Sequence, residues 1–245
     1  METERLERII QDCLNSFCRA RIAALDSLDL KKVLRRKNPY LFRASGISNA
    51  ADMVEQLLNA HVSSSDETIF GNLFFEPICK AVTKAPIAAA TGADFVLETD
   101  TTYEVIALKS GPNIFNASQS RKQQDEFDEI EKSLKATLRS LRKQFIPIMG
   151  CGYGRTPRPS SARRRFSKMA GQAFWRHVTG DPDFYLKLIR LMKEEPLKTR
   201  EQFVIARNNA MNRFVREFTT DFCGKNGAID WEKLTTFNSG EHEVI

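Results

Sequence analysis

Apolar residues recur at helical spacing near the start of the chain. Leu6, Ile9, Cys13, Leu14 and Phe17 share one side of a 3.6-residue repeat, which predicts an amphipathic helix over residues 2–25. The stretch 38–49, NPYLFRASGISN, carries Pro39 and Gly46 and reads as a connection. Ser48 or Asn49 suits the N-cap of a helix over 50–61. Ser65, followed by Asp66 and Glu67, suits the cap of another helix over about 66–82. After a run of Pro, Ala and Gly the period falls to two. ADFVLET (93–99) and YEVIALKS (103–110) predict two strands joined by a short turn at Asp100–Thr102. A polar, Asn-bearing stretch, GPNIFNASQ, then leads into a helix over 120–143. Its Phe127, Ile130, Leu134, Leu138 and Leu141 form one apolar stripe. FIPIMG (145–150) predicts a buried strand. Helices are expected over about 166–178, 183–194 and 199–222, and GAIDWEKLTTF closes the chain. Strand, strand, helix, strand argues for an α/β core with a central mixed sheet flanked by helices, plus N- and C-terminal helical additions.

Length and composition leave this picture in place. The 245 residues, 42% apolar and 28% charged, suit one globular domain. The expectation is a single domain over 1–245, with a helical N-terminal part over 1–62, a core over 63–154 and a mostly helical part over 155–245. No long uncharged apolar window offers a membrane span, and METERLERII has no apolar signal core, so a cytoplasmic protein is expected. Five cysteines, an odd number with no CxxC pair, read as reduced thiols and not as a disulfide frame or a zinc site. His61, His177 and His242 lie far apart, which argues against a histidine-built metal centre.

Charge adds a weak bias. The net charge of +6 leans toward an anionic partner, and its distribution says more than its sum. RTPRPSSARRRFSK (155–168) holds five arginines and one lysine with no acid, and LKKVLRRK (30–37) is a second basic run. Either can be a nucleic-acid contact or simply a solvated face.

The strand pair carries the candidate chemistry. Tyr103, Val105, Ala107 and Lys109 alternate onto one face, and Ile106 and Leu108 onto the other, apolar face. A lysine ending an apolar strand must reach solvent or meet an anion. Asp94, at the opening of the preceding strand, is placed to lie across from it. An acid and a lysine on adjacent strands suit phosphodiester hydrolysis. The acid would hold Mg²⁺, and the lysine would orient the attacking water or steady charge on the phosphorane. On the predicted 66–82 helix, Ile69, Leu73, Glu76 and Lys80 align on one face. Glu76 there is either a metal ligand or the i,i+4 partner of Lys80. Taken alone, an Asp followed fifteen residues later by a Lys is a common pattern.

The surrounding words are less common. GADFVLE…YEVIALKSGPNIFNASQ resembles the active-site segment of type II restriction endonucleases of the PmeII-like and EcoO-type groups, within the PD-(D/E)xK nuclease superfamily. KNPYLFRASGI (37–47), SSSDETIFGNLFFE (63–76), GCGYGR (150–155), GQAFWRHVTGDPDFY (171–185) and GAIDWEKLTTFNSG (227–240) agree with the same groups, so the likeness runs from about Lys37 to Gly240. The resemblance implies a restriction-endonuclease-like core. Asp94 would be the metal-binding aspartate and Lys109 the lysine of the ExK element. Leu108 would offer its main-chain carbonyl to the metal, and Glu76 would be a helix-borne acid of the site. The acidic position of the ExK element is Ala107 here, so either Glu76 supplies the migrated carboxylate or the copy is weakened. Glu67, Glu98 and Glu104 are lesser candidates for that role.

Asn113, Asn116, Ser118 and Gln119 leave the catalytic strand directly and can contact DNA, or can serve as turn and cap residues. Arg155, Arg158, Arg163 and Arg164 are candidate phosphate contacts. GCGYGR lacks Walker spacing and reads as a glycine turn, and Phe174 and Trp175 read as packing. The implied function is Mg²⁺-dependent hydrolysis of double-stranded DNA at a short specific sequence, leaving 5′-phosphates. A homodimer and a protecting DNA methyltransferase would go with it. The rival readings are a structure-specific repair nuclease on the same core, an inactive DNA-binding member of the fold, and a basic protein with no nucleic-acid role.

Overall fold

A computed structural model of the protein describes residues 3–83, 92–111, 117–156 and 165–241. The elements follow in order: α1 (Thr3–Asp26), α2 (Leu30–Leu34), α3 (Pro39–Ala44), α4 (Ala50–Phe70), a π-helical turn (Gly71–Phe75), α5 (Glu76–Thr83), β1 (Phe95–Glu98) and β2 (Thr102–Lys109). Then come α6 (Ala117–Leu141), β3 (Gln144–Cys151), β4 (Ser167–Ala170), α7 (Gln172–Thr179), α8 (Phe184–Met192), α9 (Glu195–Phe222) and α10 (Trp231–Ser239). Two compact units result. One comprises Met1–Phe17 and Phe70–Glu195, the other Cys18–Ile69 and Pro196–Ile245.

The first unit holds the sheet, in the order β1-β2-β3-β4, with β1 antiparallel to β2 and the remaining pairs parallel. This is the α/β architecture with a mixed sheet that the strand–strand–helix–strand pattern implied, with extra helices toward both ends. Both faces of the Val105–Leu108 stretch of β2 are buried. Phe95, Ile106, Leu108 and Ile148 pack with Leu6, Ile10, Ile78, Cys79, Phe174 and Trp175. Val96, Val105, Ala107 and Met149 pack under Phe127 and Ile130 of α6. The alternation had marked only the Ile106/Leu108 side as apolar. A strand covered on both faces reads as a continuous apolar run, and VIAL is one.

The second unit is helical. Leu25, Leu30, Leu34, Met53, Val54, Leu57, Leu58, Phe214, Phe218 and Phe222 form its core. Asp29, Asn38 and Asp230 each accept a backbone N–H at the start of α2, α3 and α10, so the caps are built from short polar side chains.

Three expectations are corrected. Ser63–Ser65 do not break a helix, because α4 runs from Ala50 to Phe70 without a cap at Ser65. Serine is only mildly unfavourable inside a helix, and the apolar face of Met53, Val54, Leu57 and Leu58 outweighs it. The 38–49 connection contains α3, begun by Asn38 and Pro39. The helix expected from 166 starts at Gln172, and Ser167–Ala170 instead form β4 beside β3. SKMA has no β-branched residue, so its strand character comes from pairing with a distant neighbour and not from its own composition. No described helix is long and apolar enough to cross a membrane, and all five cysteines are free thiols.

Candidate active site

β1 is short, and Asp94 stands immediately before it. Phe95 lies opposite Ile106 of β2. The Asp94 N–H donates to the carbonyl of that same Ile106 at 2.8 Å. Two consecutive residues thus address one partner, a slip of the bulge type that re-aims a side chain. The Asp94 carboxylate then does what the strand no longer does: its Oδ2 accepts the Leu108 N–H at 2.6 Å. A strand residue sends its N–H and C=O to the same side, so the Leu108 carbonyl also leaves β2 toward Asp94.

The turn before Asp94 is pinned from α6. Gln123, 4% exposed, donates its Nε2 to the Gly92 carbonyl at 2.7 Å. Gly92 has φ +90°, and a Cβ there would fall 2.4 Å from the Glu126 carboxylate. Only glycine suits that conformation and that approach.

Glu76 arrives from the other side of the chain by way of the π-helical turn. Its N–H donates to the Gly71 carbonyl five residues back. Pro77 follows and has no N–H to offer, so the ordinary helical ladder is interrupted there. The turn closes tightly, since a Cβ on Gly71 would lie 2.2 Å from Ser110 Oγ. Ser110 is the residue after Lys109. The turn also shifts the buried face to Phe74, Phe75, Ile78 and Cys79, away from the predicted Ile69/Leu73 line. Glu76 and Lys80 are left at the margin, joined as an ion pair at 2.5 Å. Both readings of Glu76 survive, because the i,i+4 partner and the approach to Asp94 occur together.

The electrostatics tie these groups to one place. Burial pushes the Asp94 carboxyl above its ordinary pKa. The Leu108 N–H, Lys109 and Lys80 oppose that rise, and Glu76 adds to it. Burial likewise raises the Cys79 thiol, helped by Asp94 and Glu76. Glu76, Lys80 and Lys109 thus all act on the Asp94 carboxyl, and Lys80 also bonds to Glu76. Cys151, opposite Lys109 in the β2–β3 register, is raised by burial against the pull of Lys168 and Lys109.

Ala107 is 0% exposed inside the apolar cluster under α6. A carboxylate at that position would sit among Val96, Phe127 and Met149. Among the lesser acids, Glu98 is paired with Lys143 at 2.6 Å. Glu104 is paired with His177 at 2.6 Å, on the strand face opposite Lys109. Glu67 lies in α4, in the helical unit.

Among the described residues no three His, Cys, Asp or Glu side chains form a ready metal cage. Two mutually repelling carboxylates beside a main-chain carbonyl nevertheless fit a hard divalent ion, which takes oxygen ligands and keeps several waters.

Ser118 and Gln119 are exposed in the first turn of α6, and Arg155 is exposed after β3. Asn113, Asn116, Arg158, Arg163 and Arg164 lie outside the described residues. The GCGYGR segment is a glycine turn, as its spacing suggested. Its Gly152 carbonyl accepts from Trp175 Nε1 at 2.8 Å, and Phe174 and Trp175 are core residues. Gln123 and Gly71 were not singled out from sequence. A glutamine in a polar helix and a glycine after a phenylalanine carry no local mark of the contacts they make. Lys80 was visible only as a helix-spaced partner.

No curated protein matches the chain. The family model of the type II restriction endonuclease EcoO109I matches residues 4–201, a span that contains Glu76, Asp94 and Lys109. That match covers well over half of the sequence and agrees with the mixed sheet, so the chain belongs to the EcoO109I family of type II restriction endonucleases and is an endodeoxyribonuclease.

Proposed function

We propose that the protein hydrolyses double-stranded DNA at a short specific sequence, with Mg²⁺, leaving 5′-phosphates. The observation that carries this reading is the Asp94 carboxylate held at the strand end by the Leu108 N–H, with Lys109 and Glu76 acting on the same group. Asp94 and Glu76, with the Leu108 carbonyl, would hold the ion. A bound divalent ion supplies Lewis acidity to the phosphate and acidifies the attacking water. Lys109 orients that water and steadies the charge that builds on the phosphoryl oxygens. The closed apolar surroundings of Ala107 favour Glu76 as the migrated acid, since a carboxylate at 107 would be buried without a partner.

Ser118, Gln119 and Arg155 contact the DNA in this reading, together with Asn113, Asn116, Arg158, Arg163 and Arg164. A cytoplasmic homodimer matches a palindromic site, and a cognate methyltransferase protects the host. Unmethylated phage DNA incubated with Mg²⁺ tests the reading. Discrete fragments are expected from the wild type and none from Asp94→Ala or Glu76→Ala. Ala107 keeps a second reading in view, a DNA-binding member that no longer cuts. Salt-sensitive DNA binding without cleavage, across several DNAs and divalent metals, would select it.

A further inference from the structure

We propose that Lys80 is the resting counter-ion of the catalytic carboxylates, and that a divalent cation must displace its ammonium from Glu76 in order to bind. The inference rests on reading Asp94 and Glu76 as the ligands of that cation.

The Lys80 Nζ lies 2.5 Å from Glu76 Oε1, and the two side chains are only 32% and 29% exposed. A helix pair of this spacing ordinarily decorates a solvated face. Here the residues between the partners are different: Ile78 and Cys79 are 0% exposed, packed with Phe95, Ile106 and Leu108 of the sheet. The pair therefore lies along the margin of the core, beside the end of β1 and β2 where Asp94 stands. Lys80 bonds to Glu76 from α5, and both Lys80 and Lys109 draw on the Asp94 charge.

The placement is set by the backbone. α5 begins at Glu76 because the π-helical turn ends there, and that turn packs closely against Ser110 at Gly71. One helical turn on, Lys80 meets the same carboxylate oxygens that a hard cation needs. Ammonium and metal thus compete for one anion, and the ammonium keeps two acids together when no metal is present. Removing the lysine charge leaves the acids to repel each other in the metal-free protein. It also removes a positive charge from beside the incoming cation.

The test follows Mn²⁺ binding to the metal-free, DNA-free full-length protein by the electron paramagnetic resonance of unbound Mn²⁺, with thermal midpoints measured alongside. Lys80→Met is expected to bind Mn²⁺ about tenfold more tightly than the wild type. Its metal-free midpoint should fall, and its rise on adding Mn²⁺ should exceed that of the wild type. Lys80→Arg, which keeps the charge, should behave as the wild type, and Lys80→Gln replaces Lys80→Met if the latter does not fold. Equal or weaker affinity in the uncharged variants, with binding lost in Asp94→Asn and Glu76→Gln, overturns the role of Lys80 alone. Saturable binding that persists in both of those variants, or is absent from every protein tested, overturns the ligand reading as well.

Discussion

The two units of this protein use charge differently. In the helical unit two arginines fasten neighbouring helices at the edge of an apolar core. Arg21 grips Asp66 through two nitrogens, at 2.8 and 2.7 Å, and lies 3.6 Å over the Phe203 ring. Arg213 donates to the Leu25 and Leu28 carbonyls at the end of α1. In the sheet unit three charged side chains, Lys109, Glu76 and Lys80, act on the single Asp94 carboxyl, which burial pushes upward. A group held in an environment that disfavours its charged form does not serve stability, and such groups gather where chemistry is done. The contrast predicts that mutations in one unit should separate activity from stability, and that mutations in the other should not.

The largest effect is expected at Asp94. Asp94→Asn should reduce cleavage by about a thousandfold or more, because in the proposed function it removes a carboxylate that would hold the divalent ion. Metal-free stability should not fall with it. Burial raises the folded-state pKa of Asp94 above its unfolded value. A raised carboxyl contributes stability that is fully present below the unfolded pKa and is lost as pH climbs through the folded one. Asparagine escapes that loss, so the variant should be at least as stable as the wild type at neutral pH. The difference should close as pH falls through the carboxylate range. Denaturant unfolding across a pH series checks this, and a variant that loses activity and stability together breaks the contrast.

Phe218→Ala is the counterpart in the helical unit. Its ring is 0% exposed in the core of α9, so a loss of about 3–5 kcal/mol is expected in denaturant unfolding. Ala107→Glu follows, at about 3 kcal/mol or more, because it buries a carboxylate among Val96, Phe127 and Met149. Placing an acid at this ExK position should thus weaken the fold without raising cleavage. A stable and more active Ala107→Glu enzyme would overturn the migration of that role to Glu76.

Gln123→Leu should be milder, about 1–3 kcal/mol, since it leaves the Gly92 carbonyl without its donor. Cleavage should fall further than stability does, because the lost bond frees the turn that aims Asp94. Gln123→Glu, which cannot donate when ionised, should resemble Gln123→Leu at neutral pH. Smallest of all is the Arg21–Asp66 pair, at about 1 kcal/mol or less in a double-mutant cycle, with no change in the pH dependence of cleavage.

Much of the secondary structure was readable before any fold was known, and the exceptions are instructive. Of the helical stripe, Phe127, Ile130 and Leu138 are buried, Leu134 is partly buried, and Leu141 is 49% exposed. The two strands fall within one or two residues of their predicted bounds, and β1 begins just after Asp94. β4 escaped notice because its strand character is borrowed from β3. The serine run of α4 looked like a boundary because cap preferences are local and the packing that overrides them is not.

The sequence alone determined the elements whose pattern repeats within a few residues, the acid and lysine on neighbouring strands, and, through its longer words, the family. Periodicity and capping are properties of adjacent residues, so they are written in order along the chain. Tertiary structure alone decided that Asp94 bonds to the Leu108 N–H and that Ala107 is buried in an apolar cluster. It also brought the π-helical turn against Ser110, and with it Glu76 and Lys80 to Asp94. Those facts depend on contacts between residues far apart in sequence, whose distances and burial no local pattern encodes.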